Sequence, residues 1–170
     1  CEALAEAHVA GIVHRDLKPA NLFLTRRADG SACVKVLDFG ISKAALGADE
    51  AGAQNLTQTS SVLGTPGYMA PEQLRSSKHV DARTDIWALG VIFHQLLTGK
   101  MAFQGSTVAD VYAAILTSPP EPLRSSRPDA PAVIEAIIGK CLEKDPNHRF
   151  ANVREFAAAI GRFVPTGGGL

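Results

Sequence analysis

The 170-residue sequence is poor in cysteine, carries no surplus of charge of either sign and has no long apolar run. Each shortage excludes something. The three cysteines, Cys1, Cys33 and Cys141, are far apart and odd in number, and they form neither a C-x-x-C pair nor a His/Cys cluster with zinc-ligand spacing. Reduced thiols in a cytosolic protein are expected, not a disulfide framework. Lys and Arg number 17, Asp and Glu 17, for a formal net charge of 0 at pH 7. That balance argues against a broad electrostatic footprint for nucleic acid or an anionic membrane. The longest apolar stretch, Ile86 to Leu97, is too short to span a bilayer and contains His94 and Gln95. A membrane span is expected only outside this chain. The opening residues include Glu2 and Glu6 and lack the basic start and apolar core of a secretory leader. The Gly-rich tail lacks the Lys-Ser/Thr of a P-loop, and neither G-x-S-x-G nor a Ser-His-Asp set with supporting context occurs.

What is present reads as one domain with a real core. The chain does not begin with Met. It opens inside a helical pattern, Glu2 to Ala10, that Gly11 closes but no N-cap residue starts. The expectation is a piece of something longer. Leu22–Leu24 and Val34–Leu37 read as two short strands, joined through the Asp29-Gly30 turn signal. From Ile41 to Ser61 the residues are small and polar without an apolar period, a long loop of the kind that is usually functional or disordered. Asp81 is placed to cap a helix running to about Leu97, with Gly99 just past its end. That helix is apolar nearly all round, so it belongs in the middle of a core. Amphipathic helices are expected near Thr107–Leu116, Ala132–Leu142 and Val153–Phe163, with a flexible linker starting at Pro165. His8, His79, His94 and His148 are expected to be structural, His94 as a satisfied core residue.

The chemistry gathers in the first forty residues. Asp16 and Asn21 lie on one polar loop leading into a strand, and Asp38 ends the next strand. A hairpin brings all three to one end of the strand pair. Carboxylate and amide oxygens converging there suit Mg²⁺, a hard cation bound through one or two carboxylates plus substrate phosphates. Lys18 supplies a point charge for a phosphate oxygen. A base, a metal and a cation are what phosphoryl transfer needs, because the work is mostly positioning and charge neutralisation.

His14-Arg15-Asp16-Leu17-Lys18-Pro19-Ala20-Asn21 resembles the protein-kinase catalytic loop. Asp38-Phe39-Gly40 resembles the metal-binding triplet that opens the activation segment, and Ala70-Pro71-Glu72 the triplet that closes it. In this order and spacing the sequence resembles the bacterial, eukaryotic-like serine/threonine kinases up to its tail. The resemblance implies a mainly α fold with a short β-hairpin: the large, C-terminal lobe of a kinase over residues 1–164, from the end of helix E through helix I, with 165–170 as linker. It implies Asp16 as catalytic base and Lys18 as the cation on the transferred phosphoryl group, Lys being similar to Ser/Thr kinases and unlike tyrosine kinases. Asn21 and Asp38 are implied to hold Mg²⁺, Phe23 to floor the adenine of ATP with Ile92 and Leu96 beneath it, and His14 and Phe39 to stack in the core. Asp85 resembles the residue that hydrogen-bonds the catalytic-loop backbone, and Glu72 and Arg149 the family's buried ion pair. Thr57 and Thr59 resemble activation-loop phosphorylation sites, with Arg15 as the matching cation. Thr65 resembles the threonine that hydrogen-bonds Asp16 and Lys18. Ala20 departs from the acidic residue of many basophilic kinases.

The family's Gly-rich loop, its V-A-I-K strand and the helix with its Glu are not found in this sequence. Two readings stand. In one, the chain is a fragment of an active, ATP- and Mg²⁺-dependent kinase of protein Ser/Thr residues, cytoplasmic or the cytoplasmic part of a membrane-anchored protein, inactive without its N-lobe. In the other, it is an isolated lobe that binds partners and catalyses little or nothing. Intact Asp16, Lys18, Asn21 and Asp38 favour the first.

Overall fold

The computed structural model describes residues 2–38, 66–76 and 80–163. Cys1, Phe39, Thr57, Thr59, Thr65, His79 and the tail from Pro165 lie outside these residues. The described chain is mainly helical with one two-stranded antiparallel sheet. Helix α1 is Glu2–Val9. It closes through the Ile12 N–H, which reaches back to the Ala7 carbonyl at 2.9 Å. That backward turn needs the left-handed φ of 75° at Gly11.

Strands β1 (Leu22–Arg26) and β2 (Ala32–Val36) pair with Leu22 opposite Val36 and Arg26 opposite Ala32. The pairing runs two residues further toward the turn than the apolar runs suggest, because backbone ladders continue through Thr25, Arg26 and Ala32 whatever their polarity. Leu22 and Val36 pack on the core; Leu24 and Val34 are exposed.

Short helix α2 (Pro71–Arg75) leads to the central post α3 (Arg83–Thr98). Asp81 starts α3 from one position further out than an N-cap: Ala82 is the cap residue, and the Asp81 carboxylate accepts from the Arg83 N–H at 2.8 Å. Residues 84–92 of α3 are all buried. Its two sides feed two clusters, one built on Leu4, Leu17, Ile86, Leu89 and Phe156, the other on Trp87, Val91, Phe103, Ile115 and Ile138. Each such side chain contributes about 1.5–3 kcal/mol on burial. Trp87 stacks on Phe103 with centroids 5.3 Å apart. Gly90 lets the helix over Ala132–Cys141 come close: a Cβ there would meet the Cys141 Cβ at 2.6 Å.

The expectation of a helix buried along its whole length needs correction. Leu96 is 72 % exposed and Phe93 and Leu97 are half-buried, because the other elements pack around the first half of α3 and leave its C-terminal turn at the surface. Thr84, Asp85 and His94 point inward instead. His94 is a core histidine: its Nε2 lies 2.9 Å from the Glu121 carbonyl, and its Nδ1 lies 3.2 Å from the Lys100 carbonyl and 3.4 Å from the Thr98 hydroxyl.

Helix α4 (Val108–Thr117) starts on a reciprocal cap, Asp110 N–H to Thr107 Oγ1 at 3.1 Å and Thr107 N–H to Asp110 Oδ2 at 2.9 Å. Helices α5 (Leu123–Ser126), α6 (Ala132–Cys141) and α7 (Val153–Gly161) follow, the last helices among the described residues. Helices α2 and α5 escape sequence reading because one turn shows no period. Cys33 and Cys141 are free thiols, and burial pushes Cys141 up to about 12, which leaves it an unreactive core residue. No helix among the described residues is long and apolar enough to cross a membrane.

Candidate active site

The loop after α1 is built from side chains that grip backbone. His14 is fully buried. Its Nε2 lies 3.0 Å from the Leu37 carbonyl, and its Nδ1 accepts from the Asp16 N–H at 3.3 Å. A carbonyl can only accept, so these partners fix the proton on Nε2. One ring thereby ties the loop to the end of β2, next to Asp38. Asp85, also fully buried, accepts from the His14 N–H at Oδ2 and the Arg15 N–H at Oδ1, both at 2.9 Å. Its Oδ2 takes a further bond from His8 Nε2 at 2.7 Å. A buried carboxylate without donors would cost several kcal/mol; here three donors meet it.

Arg15 adopts φ 64°, the left-handed region that a non-glycine residue enters at a cost of about 1–3 kcal/mol. Its carbonyl accepts from Gln73 Nε2 at 2.8 Å. The Asp16 carbonyl accepts from Asn21 Nδ2 at 2.8 Å, and the Asn21 N–H bonds the Lys18 carbonyl at 2.9 Å in the turn Pro19–Asn21. Lys18 Nζ lies 3.1 Å from Asp16 Oδ2, with both side chains 23 % exposed, so carboxylate and ammonium share one edge open to solvent. Arg15, Asp16, Lys18, Tyr68, Met69 and Gln73 line a small recess there.

Asn21 and Asp38 sit at the same end of the hairpin. The Leu37 N–H donates to the Asn21 carbonyl at 2.8 Å, which brings the start of β1 beside the residues that follow β2. With Nδ2 of Asn21 bonded to the loop, its Oδ1 is an acceptor that this bond leaves available. Asp38 is exposed with φ 51°. An amide oxygen and a carboxylate suit Mg²⁺, which takes its other ligands from phosphate and water. Among the described residues no group of three or more His, Cys, Asp or Glu forms a metal cage of its own. Phe23 is 57 % exposed on β1, while Ile92 is buried in the core.

A second assembly lies under α2. Arg149, with its side chain 0 % exposed, makes two parallel bonds to Glu72, Nη1 to Oε1 at 2.7 Å and Nη2 to Oε2 at 2.8 Å. Its remaining donors reach the carbonyls of Glu143 (2.8 Å), Arg83 (3.0 Å) and Lys144 (3.4 Å). Thr84 Oγ1 adds a bond to Glu72 Oε1 at 2.9 Å. Burial alone would raise the Glu72 carboxyl, but the Arg149 bonds and charge outweigh it and hold it below its ordinary value of 4.5. Lys144 packs over Phe103 at 4.1 Å and donates to the Ile115 carbonyl at 2.7 Å. Burial, then the positive Arg149 and Arg75, bring it down to about 8.

The sequence profile of the protein kinase domain matches residues 1–159. The chain belongs to the protein kinase family. It is 46 % identical over 162 residues to serine/threonine-protein kinase Pkn1 of Myxococcus xanthus, covering 94 % of this chain and 22 % of that protein. It is 43 % identical over 161 residues to pkn3 of the same organism, covering 93 % of this chain and 29 % of the relative. PknB of Mycobacterium tuberculosis is 36 % identical over 162 residues, with 95 % and 24 % covered. The chain thus spans between a fifth and a third of the length of these curated relatives.

In this kinase-family chain the structure gathers His14, Arg15, Asp16, Lys18, Asn21, Asp38 and Asp85 at one place, and Glu72 with Arg149 at another. Two residues of the site escaped sequence reading. His8 has a structural role, as expected, but one its own position does not signal: it adds a third donor to Asp85, 77 residues away in the sequence. Gln73 carried no signal in a single sequence, because amides are ordinary surface residues.

Proposed function

We propose that this chain is the large-lobe part of a serine/threonine protein kinase domain, residues 1–164, followed by a linker. The parent protein transfers the γ-phosphoryl group of ATP to Ser and Thr hydroxyls of proteins. The observation that carries this reading is the pairing of Asp16 with Lys18 on a loop whose backbone is fastened by Asp85, His14 and Asn21.

In this reading the substrate hydroxyl oxygen attacks the γ-phosphorus, the bond from that phosphorus to the β–γ bridging oxygen breaks, and the hydroxyl proton goes to an Asp16 carboxylate oxygen. Lys18, 3.1 Å from that carboxylate, also offers its ammonium to the oxygens of the transferring group. Asn21 and Asp38 would hold Mg²⁺, which neutralises charge on the ATP phosphates. The work left to the chain is positioning, which fits a loop whose backbone is fastened by several side-chain bonds.

Phe23 is read as the floor under the adenine, and its exposure fits a surface covered by ATP and by the N-lobe of the same kinase domain. Arg15 is read as the cation that meets a phosphate on Thr57 or Thr59, and Thr65 as a partner of Asp16 and Lys18. Ala20 puts no carboxylate beside the loop, so basic substrates gain no ion pair there.

The test uses the full-length protein containing this chain, γ-labelled ATP and Mg²⁺. Label is expected on Ser and Thr and not on Tyr, with loss of transfer in Asp38→Asn. A folded full-length protein that binds partners but transfers no label points instead to a non-catalytic lobe.

A further inference from the structure

The peptide group between Arg15 and Asp16 is held at both of its polar ends, and the peptide before it is held by Asp85. The Arg15 N–H donates to Asp85 Oδ1 at 2.9 Å, and the Asp16 N–H reaches His14 Nδ1 at a longer 3.3 Å. The Arg15 carbonyl, in the same plane as the Asp16 N–H, accepts from Gln73 Nε2 at 2.8 Å. The other end of that amide is also used: Gln73 Oε1 accepts from the Ala70 N–H at 3.0 Å. One side chain therefore bridges the Ala70-Pro71-Glu72 triplet and the residue before Asp16.

The base of this bridge is rigid. Gln73 sits on α2 next to Glu72, and Glu72 is locked by two bonds to Arg149. Successive helical residues project about 100° apart, so one residue anchors α2 in the core while the next reaches the loop. Arg15 is in the left-handed region, φ 64°, and needs such enforcement to stay there.

We propose that Gln73 is a positioning residue of the phosphoryl-transfer site: its amide sets the Arg15–Asp16 peptide plane, and with it the direction of the Asp16 carboxylate. It thereby couples Asp16 to the placement of the segment that ends at Glu72. The rate consequence rests on the kinase reading above; the bond itself does not.

Two variants of the full-length protein separate the possibilities. Gln73→Glu keeps the size and the acceptor for the Ala70 N–H but sets a carboxylate oxygen against the Arg15 carbonyl. Gln73→Met keeps the volume and removes both bonds. For each, kcat for phosphoryl transfer is expected to fall about tenfold to a hundredfold, the scale of a small misplacement of reacting groups. KM for ATP is expected to stay unchanged and Tm to fall by only a few degrees, the effect of one or two lost hydrogen bonds. Hydrogen exchange at the amides of Arg15 and Asp16 is expected to quicken about tenfold, the effect of losing one hydrogen bond, with exchange at Val91 in α3 unchanged.

If the unsubstituted protein transfers no phosphoryl group, the kinase reading fails, and the exchange rates alone decide whether Gln73 holds the plane. Unchanged exchange at Arg15 and Asp16 overturns the inference. So does an unchanged kcat in an active protein, or a fall in kcat no larger than the fall in folded fraction, which would mark Gln73 as structural.

Discussion

The loop around Asp16 and the hub around Arg149 each bury a charge, and they handle it in opposite ways. Asp85 spends its two oxygens on backbone N–H groups of the loop and on His8. Arg149 spends its guanidinium on one carboxylate and on carbonyls of the helix-joining segments. The anion shapes a strained loop that stays open to solvent at Asp16 and Lys18. The cation closes a packed interior beside Trp87. The difference separates two kinds of sensitivity: changes at the solvent-open edge of the loop should alter rate, and changes at either buried charge should alter stability.

The largest expected break in that division of labour is at the hub. Arg149→Ala strands Glu72 and should cost about 3–5 kcal/mol of stability, read as a fall in Tm or in denaturant midpoint. An unchanged Tm would contradict the hub's role. Next comes His8→Phe, which keeps an aromatic body but removes one of the donors to Asp85. About 1–3 kcal/mol of stability should be lost, the scale of one missing bond to a buried charged group, and hydrogen exchange at the His14 and Arg15 amides should quicken. A smaller and graded effect follows pH. The Glu72 carboxyl is held below its ordinary 4.5 in the folded state. Its contribution is therefore fully present above 4.5 and is lost as pH falls through the folded value. The Tm gap between the unsubstituted protein and Arg149→Ala should narrow as pH drops below that range; a gap that widens would reverse the sign. Smallest of all is the surface pair Arg127–Asp129, 2.7 Å apart. It holds Asp129 down at about 2, yet solvent screens both groups, so Asp129→Asn should leave Tm unchanged.

Much of this was legible without coordinates, for definite reasons. Helices α3, α4, α6 and α7 announce themselves through long apolar or amphipathic runs, α3 with Gly99 just past its end. The hairpin is visible in Asp29-Gly30 between two apolar runs. Asp16, Lys18, Asn21 and Asp38 stand out because their places on the loop and hairpin put them at one end of the strand pair, while the roles proposed for them rest on the resemblance of His14–Asn21 and Asp38–Gly40 to kinase motifs. His8 and Gln73 were not legible. Their importance lies in partners 77 and 58 residues away, and nothing local to either residue distinguishes it from a surface side chain. The exposed end of α3 was missed for a related reason: an apolar sequence states what could be buried, but only the number of elements packed around it decides what is.

The most direct measurement is the rate of phosphoryl transfer by Asp16→Asn in the full-length protein, taken beside its Tm. Loss of the base with the fold intact should lower the rate about 10²–10⁴-fold, the range for general acid–base catalysis, at an unchanged Tm. A rate near that of the unsubstituted protein would contradict Asp16 as the base, and with it the account of this loop as a catalytic site.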